Sequence, residues 1–331
     1  MSRTRRIGTV NFHRSQNYGA LMVAYSLKTY LKRLGMDTLT VDYYPAYHQA
    51  MYPHPHKAFQ EFINSRLMPF GSPEEEYDLL IYGSDTIWER YKVYGYDDAY
   101  WGSEKLRAKR KITYSASASM RNFSPESDEL FRKYLPQFHA VSVRESVLRT
   151  YLENLTGCSI LHTCDPTFLL ASEDYEAIMA NRMIAERYAV IYNRQLSRKL
   201  PEIACTVREK TGLPVYILPG NGMLLNEAGE VLRGDMGPRE FLSMMRHASF
   251  VLAASFHATA FSILFRKPFY SIMKSRGERV ESLLRSAGLE ERLIDHSSQI
   301  DPENKIDYTR VNDRMSGWIA ESKRYLEGNL K

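Results

Sequence analysis

The chain has 331 residues, of which 44% are hydrophobic and 25% are charged, and its formal net charge at pH 7 is +5. These proportions are those of an ordinary globular protein, so they exclude fibrous and disordered classes. No apolar run is long enough to cross a bilayer, and the N-terminal residues contain no long apolar region with a cleavage site. We therefore expect a cytoplasmic protein that is large enough for two domains.

The cysteines and the basic residues indicate which covalent links and which kinds of ligand to expect. Cys158, Cys164 and Cys205 form no CxxC pair, and an odd number argues against a disulfide framework. The basic run at residues 105–111 is expected to be a solvated face, with a mild attraction for acidic ligands or an anionic membrane surface as the alternative. No nucleic-acid-binding module and no metal-ligand motif accompanies it, so neither nucleic acid nor metal is expected.

Strand-like and helix-like segments alternate along most of the chain. Residues 44–72 are irregular and rich in aromatic residues, residues 220–234 are a glycine-rich loop, and Asp165-Pro166 separates two alternating series. Predicted strands cover residues 7–12, 38–43, 78–82, 111–115, 140–143, 159–163, 188–192, 215–218 and 250–254, and predicted helices cover residues 18–34, 58–67, 125–135, 145–155, 198–211, 238–247 and 308–330.

Two consecutive series of this kind predict an α/β protein with two Rossmann-like parallel-sheet domains that face a cleft. We expect an N-terminal domain at residues 1–170, a C-terminal domain at residues 171–305, and a helix at residues 306–331 that packs back across the molecule. Ligands of such sheets bind beyond the carboxyl ends of the strands. The loops that follow strands are therefore the places to look for functional residues.

The clearest of these loops begins a buried helix at Ser255-Phe256-His257. Ser255 is a suitable N-cap, which would place His257 among the free backbone N–H groups at the positive end of the helix dipole. Such a terminus binds anions, and a histidine beside it can transfer a proton. The pattern predicts a site for a phosphorylated or carboxylated substrate, with Arg276 and Arg279 downstream as further anion ligands. The competing interpretation is a structural histidine that the backbone satisfies.

Three other loops carry candidate residues. A small turn at Asn17-Tyr18-Gly19 opens the first helix, and its glycine would let a ligand approach the backbone. Arg144 stands at the last position of a strand, where its guanidinium could bind a carboxylate or phosphate. A surface pair between Arg144 and Glu145 is the alternative there.

The loop after the third strand suits a sugar. Ser84 and Asp85 offer oxygen atoms, with Asp85 able to accept hydrogen bonds from hydroxyls, and Trp88 offers an apolar face. An aspartate that caps a helix beside a packing tryptophan is the alternative.

Taken together, these motifs resemble those of the polysaccharide pyruvyl transferase family, and their order and spacing are kept from about residue 8 to residue 290. The chain departs from the family pattern at Thr86 and Ile87, at Ala258, and at residues 115–119, which read SASAS. The five motifs are Asn-Tyr-Gly-Ala at residues 17–20, Gly-Ser-Asp-Thr-Ile-Trp at residues 83–88, Val-Ser-Val-Arg-Glu at residues 141–145, Asp-Pro-Thr-Phe-Leu-Leu at residues 165–170, and Ser-Phe-His-Ala-Thr-Ala-Phe-Ser at residues 255–262.

The resemblance implies a GT-B-like fold, that of the two-domain glycosyltransferases, with the active site between the lobes. It implies a pyruvyltransferase of exopolysaccharide biosynthesis that delivers the pyruvyl group of phosphoenolpyruvate to a sugar as a ketal. The family residues that match His257 and Arg144 are associated with donor binding and catalysis. No cofactor is expected besides this donor. An acceptor attached to a lipid, and peripheral contact with the inner membrane surface, are left open.

These residues support a hypothesis for the chemistry. Arg144 would hold one anionic group of the donor and the helix N-terminus at Ser255 the other, with His257 as general acid or phosphate stabiliser and Asp85 as base. Two alternatives are kept. One is a nucleotide-sugar-dependent glycosyltransferase on the same fold, and the other is a sugar-binding relative without catalysis.

Overall fold

The computed structural model describes residues 5–52, 54, 56–91, 93–120, 123–193, 199–220, 222–272 and 277–331. Two lobes follow one another along the chain, and each is a mainly parallel sheet with helices on its faces. The chain leaves the first lobe's strands at residue 162 and enters the second lobe's sheet at residue 189, and the sequence predicts the domain boundary between these two positions.

The N-terminal lobe is built on a parallel sheet in the order β3-β2-β1-β4-β5. The short pair β6–β7 extends it through single bridges between Ile112 and Ala140 and between Ala116 and Val143. Its elements are β1 (Ile7–Val10), α1 (Tyr18–Arg33), β2 (Thr38–Val41), α2 (Ala46–Met51), α3 (Lys57–Arg66), β3 (Phe70–Gly71), β4 (Tyr77–Tyr82), β5 (Ala108–Thr113), α4 (Pro125–Tyr134), β6 (Val141–Val143), α5 (Ser146–Thr156) and β7 (Ile160–His162).

The C-terminal lobe has a sheet in the order β11-β10-β9-β8-β12-β13-β14, in which β10 is antiparallel to both of its neighbours. Its elements, with the final helix, are α6 (Ser172–Glu176), β8 (Ala189–Tyr192), α7 (Leu200–Thr211), β9 (Val215–Leu218), β10 (Leu224–Leu225), β11 (Val231–Arg233), α8 (Pro238–His247), β12 (Phe250–Ala253), α9 (Phe256–Leu264), β13 (Phe269–Ile272), α10 (Glu278–Ala287), β14 (Leu293–Ile294) and α11 (Tyr308–Gly328).

The order of the strands fixes where a ligand can lie. In each sheet the direction of winding reverses once, between β1 and β4 in the first lobe and between β8 and β12 in the second. A crevice opens beyond the carboxyl ends of the strands at such a reversal. The loops after β1, β4 and β12 carry most of the residues that the sequence singles out.

The two lobes share one apolar core. Tyr18 of α1 stacks between Phe59 of the first lobe and Phe241 of the second, with ring centroids 5.0 and 4.9 Å apart. Its hydroxyl donates a hydrogen bond to the carbonyl of Met236 at 3.3 Å. A single cluster of buried apolar side chains therefore extends from β1 and β4 to β12 and α9.

The last helix joins the lobes on another side. Near the start of α11, Tyr308 donates a hydrogen bond to the carbonyl of Lys267 in the C-terminal lobe at 2.6 Å. Near its end, Tyr325 donates to the carbonyl of Thr113 in the N-terminal lobe at 2.8 Å. The helix thus crosses from one lobe to the other. No helix in the described part of the chain combines the length and the apolar character that crossing a membrane requires.

Most predicted elements occur within one to three residues of their expected bounds, since their apolar runs are long enough to show a period. The prediction of a single loop at residues 220–234 is wrong, because a short hairpin of β10 and β11 lies there. The predicted start of α7 at Arg198 lies outside the described residues. The sequence does not predict α2, β3, β13, α10 and β14. Most of these elements are short, and a strand of two residues cannot show an alternation of apolar and polar residues.

Candidate active site

The centre of the site is the buried carboxylate of Asp165, which follows β7. Its Oδ1 accepts hydrogen bonds from the backbone N–H and the hydroxyl of Thr167, at 3.0 and 2.8 Å, and so caps the short helical turn Pro166–Leu169. Its Oδ2 accepts from Ser84 at 3.0 Å and from Nη1 of Arg144 at 2.9 Å. A carboxylate that is buried this completely needs such a set of donors.

The same Oδ2 faces His257 from the other lobe, with Nε2 of the imidazole 3.6 Å away. Burial opposes ionisation of the Asp165 carboxyl, but its interactions with the nearby imidazole of His257 and with the charge of Arg144 outweigh burial. The pKa of Asp165 therefore lies well below its usual range. An ionised carboxylate here orients the ring and stabilises the imidazolium that a proton transfer requires.

The local sequence explains how His257 reaches this place. Ser255 caps α9 as predicted, because its hydroxyl accepts a hydrogen bond from the N–H of Ala258 at 3.2 Å. His257 is then the second residue of the helix and is almost buried. Its ring lies against Gly19, where a Cβ atom would be only 2.1 Å from Nδ1 of the imidazole. Gly19 is required because the histidine ring occupies the space of a side chain.

Arg144 is enclosed by protein groups, whereas the sequence predicts a guanidinium that binds a carboxylate or phosphate of a ligand. Its Nε donates to Glu145 at 3.0 Å, its Nη2 donates to Ser117 at 2.8 Å, and its guanidinium stacks 4.0 Å from the ring centroid of Phe256. Burial lowers the pKa of Arg144, but the charges of Glu145 and Asp165 outweigh burial and raise it. The alternative of a surface pair with Glu145 is also wrong, because both side chains are 1% exposed.

Arg279, near the start of α10, is a cation that has no partner among the residues that the structure describes. It is only partly exposed, and it makes no hydrogen bond or ion pair with any residue that the structure describes. Burial and the nearby charge of Arg144 lower its pKa, while Glu145 and Asp85 oppose that shift. Oε2 of Glu145 is likewise buried without a hydrogen-bond partner in the described ranges. The N–H donors of the Arg279 guanidinium are therefore not used by any residue that the structure describes. Arg276 lies outside the described residues.

Asp85 holds an unusual backbone conformation at the end of β4. Its φ is +94°, in the region that disfavours residues with side chains. Its Oδ1 accepts a hydrogen bond from the N–H of Thr86 at 2.9 Å, and the residue is 7% exposed. The second carboxylate oxygen accepts no hydrogen bond from any residue that the structure describes.

Two predicted ligand contacts are core residues instead. Trp88 is 1% exposed, donates from Nε1 to the carbonyl of Tyr100 at 3.2 Å, and packs edge-on against Phe131. Its indole has no face left for a sugar, so the alternative of a packing tryptophan is correct. Tyr18 is fully buried between the lobes. Asn17 caps α1 by accepting from the N–H of Gly19 at 3.0 Å.

The structure thus gathers Arg144, Ser84 and His257 around one carboxylate oxygen, with Phe256 and Gly19 packed against them. The sequence analysis does not name Asp165 as a site residue, although residues 165–170 form one of the five family motifs and Asp165-Pro166 separates the two alternating series. An aspartate directly after a strand was the available signal. The serines within residues 115–119 are a second signal, since Ser117 bridges Arg144 and Glu145.

In the described ranges, no group of three or more His, Cys, Asp or Glu side chains is placed to hold a metal ion.

A sequence model of one family, described as polysaccharide pyruvyl transferase, matches residues 17–275. The chain belongs to the polysaccharide pyruvyl transferase family. The matched segment contains Asn17, Asp85, Arg144, Asp165 and His257, so the carboxylate centre lies wholly within the family's region. A comparison with proteins of curated function gives no match.

Solved structures similar to this pyruvyl transferase family member include two UDP-N-acetylglucosamine 2-epimerases. One has a TM-score of 0.57 at 12% identity, covering 100% of this chain and 96% of that chain. The other, from Neisseria meningitidis and bound to UDP-GlcNAc, has a TM-score of 0.54 at 10% identity, covering 98% and 91%. A wall teichoic acid polymerase gives 0.51 at 7% identity, covering 98% and 87%. At these identities the likeness concerns the fold alone, which is the predicted GT-B-like architecture.

Proposed function

We propose that this family member transfers the pyruvyl group of phosphoenolpyruvate to a sugar of a cell-surface polysaccharide or its precursor, forming a pyruvate ketal. The observation that carries the proposal is that Arg144 and His257, which come from opposite lobes, both lie beside Oδ2 of Asp165. Nη1 of Arg144 is 2.9 Å from this oxygen, and Nε2 of His257 is 3.6 Å from it. Family membership supports the reaction class, and the free cation of Arg279 supports an anionic donor.

The donor carries a carboxylate and a phosphate, and the site offers positive groups for both. Arg279 supplies a guanidinium that makes no hydrogen bond or ion pair with any residue that the structure describes. The first N–H groups of α9, at Phe256 and His257, have no partner within the helix and lie at its positive end. Arg144 holds Asp165 and Phe256 in place and adds its charge to the field. We assign it a positioning role, since its hydrogen bonds to four protein groups leave little of the guanidinium for substrate.

The reaction needs one proton delivered to carbon and one removed from each of two hydroxyls. Protonation of the methylene carbon of the enol produces an oxocarbenium-like centre at C2. One sugar hydroxyl forms a C–O bond there and loses its proton, the bond from C2 to the phosphate oxygen breaks, and the second hydroxyl closes the ketal. Of the two protons released, one balances that taken up by the methylene carbon and the other leaves on phosphate.

His257 is our candidate for the acid that protonates the methylene carbon or stabilises the departing phosphate, and Asp165 orients it. Asp85 is the candidate base for the attacking hydroxyl, because one of its carboxylate oxygens is not used by the backbone. The acceptor class follows from the family. We propose that the protein works in the cytoplasm, with a lipid-linked acceptor met at the membrane surface as one form of this proposal.

Thermal unfolding with added ligand tests donor choice, because a ligand that binds only the folded state raises the midpoint as its concentration rises. We expect phosphoenolpyruvate to raise it saturably, and UDP-glucose and UDP-N-acetylglucosamine to have no effect. The reverse result would support the nucleotide-sugar glycosyltransferase instead.

Phosphate release from phosphoenolpyruvate with cell-wall oligosaccharide then tests turnover. Release should fall by about 10²–10⁴ in His257→Gln. Binding without any release by wild type would indicate a non-catalytic relative.

A further inference from the structure

The loops after β2 and β4 leave an exposed apolar surface on the N-terminal lobe. We call it the tyrosine patch and define it by Met51, Tyr52, Tyr91, Val93 and Tyr94. Val93 is 87% exposed, Met51 51% and Tyr94 50%. Neighbouring large side chains that are this exposed mark an interaction site more often than isolated ones do.

The patch is held rigidly from below. The ring of Tyr91 stacks on that of Tyr47 with centroids 3.6 Å apart, and Tyr94 lies 6.3 Å from the same ring. Tyr47 is buried and packs edge-on against Phe12, the second residue after β1. Paired backbone hydrogen bonds between Tyr91 and Gly95, of 2.9 and 2.7 Å, close the loop. The ring of Tyr91 is fixed in this way, so a contact between it and a ligand would cost little conformational entropy.

The patch borders the candidate active site. Asp85 and Tyr91 lie in the same loop after β4. The backbone N–H of Ile87 donates to the carbonyl of Asp85 at 2.8 Å and that of Glu89 donates to the carbonyl of Thr86 at 3.3 Å, so tight turns keep Asp85 and Tyr91 near each other. Burial raises the pKa of Tyr91, and the charges of Asp85 and Glu89 contribute to the same shift. The chain that follows Tyr52 also contacts the C-terminal lobe. His56, shortly after Tyr52 in the chain, forms a hydrogen bond to the carbonyl of Gly234 in the C-terminal lobe at 2.8 Å.

We propose that the tyrosine patch is the subsite for the saccharide acceptor, a proposal that rests on the proposed function. A sugar ring presents an apolar C–H face to tyrosine rings and hydroxyls to the carboxylate of Asp85. This surface supplies the aromatic face that the sequence assigned to Trp88. The carboxylates of Asp85 and Glu89 beside the patch favour a hydroxyl-rich ligand over an anionic lipid surface, which attracts basic residues.

Saturation-transfer NMR tests the proposal, with the methyl glycosides of galactose, glucose, mannose and N-acetylglucosamine as probes. We expect wild type to transfer saturation to the ring protons of at least one glycoside. Tyr94→Ala should weaken that binding about tenfold. Tyr94→Phe should keep it, because the aromatic face remains. Tyr216→Ala is the matched control, because Tyr216 is a half-buried tyrosine on β9 in the C-terminal lobe. No transfer to any glycoside with wild type, or equal transfer with Tyr94→Ala, would overturn the proposal.

Two further measurements separate this proposal from its rivals. Sedimentation with vesicles of phosphatidylglycerol and phosphatidylcholine detects membrane binding, and its loss in Tyr94→Ala with unchanged sugar binding would assign the patch to the membrane and overturn the subsite. The midpoint shift with phosphoenolpyruvate should be the same in Tyr94→Ala and wild type. Its absence from both would refute the proposed donor, whereas the NMR result judges the sugar subsite separately.

Discussion

Oδ2 of Asp165 lies 3.6 Å from Nε2 of His257, and the two residues come from different lobes. The carboxylate also accepts a hydrogen bond from Arg144 at 2.9 Å, so it joins the arginine and the histidine that the sequence singles out. Neither of these two side chains can be repositioned without disturbing Asp165. The carboxylate is therefore the residue whose change should report most directly on the whole site.

Asp165→Asn keeps the shape of the side chain and removes its charge. Turnover should fall by about 10²–10⁴, because the imidazole loses the anion that orients it and stabilises its protonated form. Phosphate release from phosphoenolpyruvate with cell-wall oligosaccharide is the measurement. Asp42→Asn is the control, since Asp42 also bridges a histidine and an arginine, His13 and Arg14, but lies outside the site. Equal losses in the two variants would show a general effect on folding.

Asp165→Asn should also change how the stability of the folded protein depends on pH. The pKa of Asp165 in the folded protein lies below its ordinary value of 3.8, so its stabilising effect is present above pH 3.8 and is lost as the pH falls through the folded value. The free energy of unfolding of wild type should therefore decrease more steeply below about pH 4 than that of Asp165→Asn. Urea unfolding of both proteins at a series of pH values checks this. Parallel curves would contradict the assignment.

Gly19→Ala should displace the histidine ring. The added Cβ atom would lie 2.1 Å from Nδ1 of His257, so the imidazole must move away from its present position beside Asp165. Turnover should fall by about 10², the cost of a misplacement near 1 Å. Gly317→Ala, at an exposed position of α11 where a Cβ atom meets open space, should leave turnover unchanged. Full activity in Gly19→Ala would mean that the position of His257 is unimportant.

Arg279→Ala should weaken the binding of phosphoenolpyruvate by about 10- to 100-fold, because a hydrogen bond to a charged group contributes roughly 1.5–3 kcal/mol. Isothermal titration calorimetry gives the dissociation constant, and Arg279→Lys should restore part of the affinity. Arg285→Ala changes an exposed arginine on the same helix and serves as the control. An unchanged dissociation constant in Arg279→Ala would remove this residue from the donor site.

Trp88→Phe distinguishes packing from ligand binding. The variant loses the hydrogen bond from Nε1 to Tyr100 and part of the ring volume, and we expect the free energy of unfolding to drop by about 1–3 kcal/mol. KM for both substrates should stay unchanged, since the indole is buried. A raised KM for the acceptor with normal stability would restore the sugar-binding interpretation.

The sequence predicts the alternating architecture well where apolar runs are long. Strands such as Val215–Leu218 and helices such as Pro238–His247 occur at their predicted bounds. The strands β3, β10 and β14 have two residues each, so no period identifies them. Their pairing depends on neighbours that are distant in the chain. The helix cap at Ser255 could be predicted because it is a local interaction.

The site is less predictable, because burial depends on tertiary packing. Arg144 and His257 could be named from their places after a strand and at a helix start, but the enclosure of Arg144 by Glu145 and Ser117 could not. A single sequence likewise gives no sign that Trp88 faces inward while Tyr94 faces outward. Asp165 acquires its importance only when loops from both lobes meet.

The stacking of Tyr18 between Phe59 and Phe241 has a consequence for how the molecule can be divided. A fragment that ends at residue 170 would present a tyrosine to water in place of a neighbouring ring, along with the rest of a severed interior. Such a fragment should aggregate when expressed alone, and the intact chain should melt in one cooperative transition. If this protein exchanged one lobe with that of a relative during evolution, the residues that contact Tyr18 from the two lobes, Phe59 and Phe241, would have to change together.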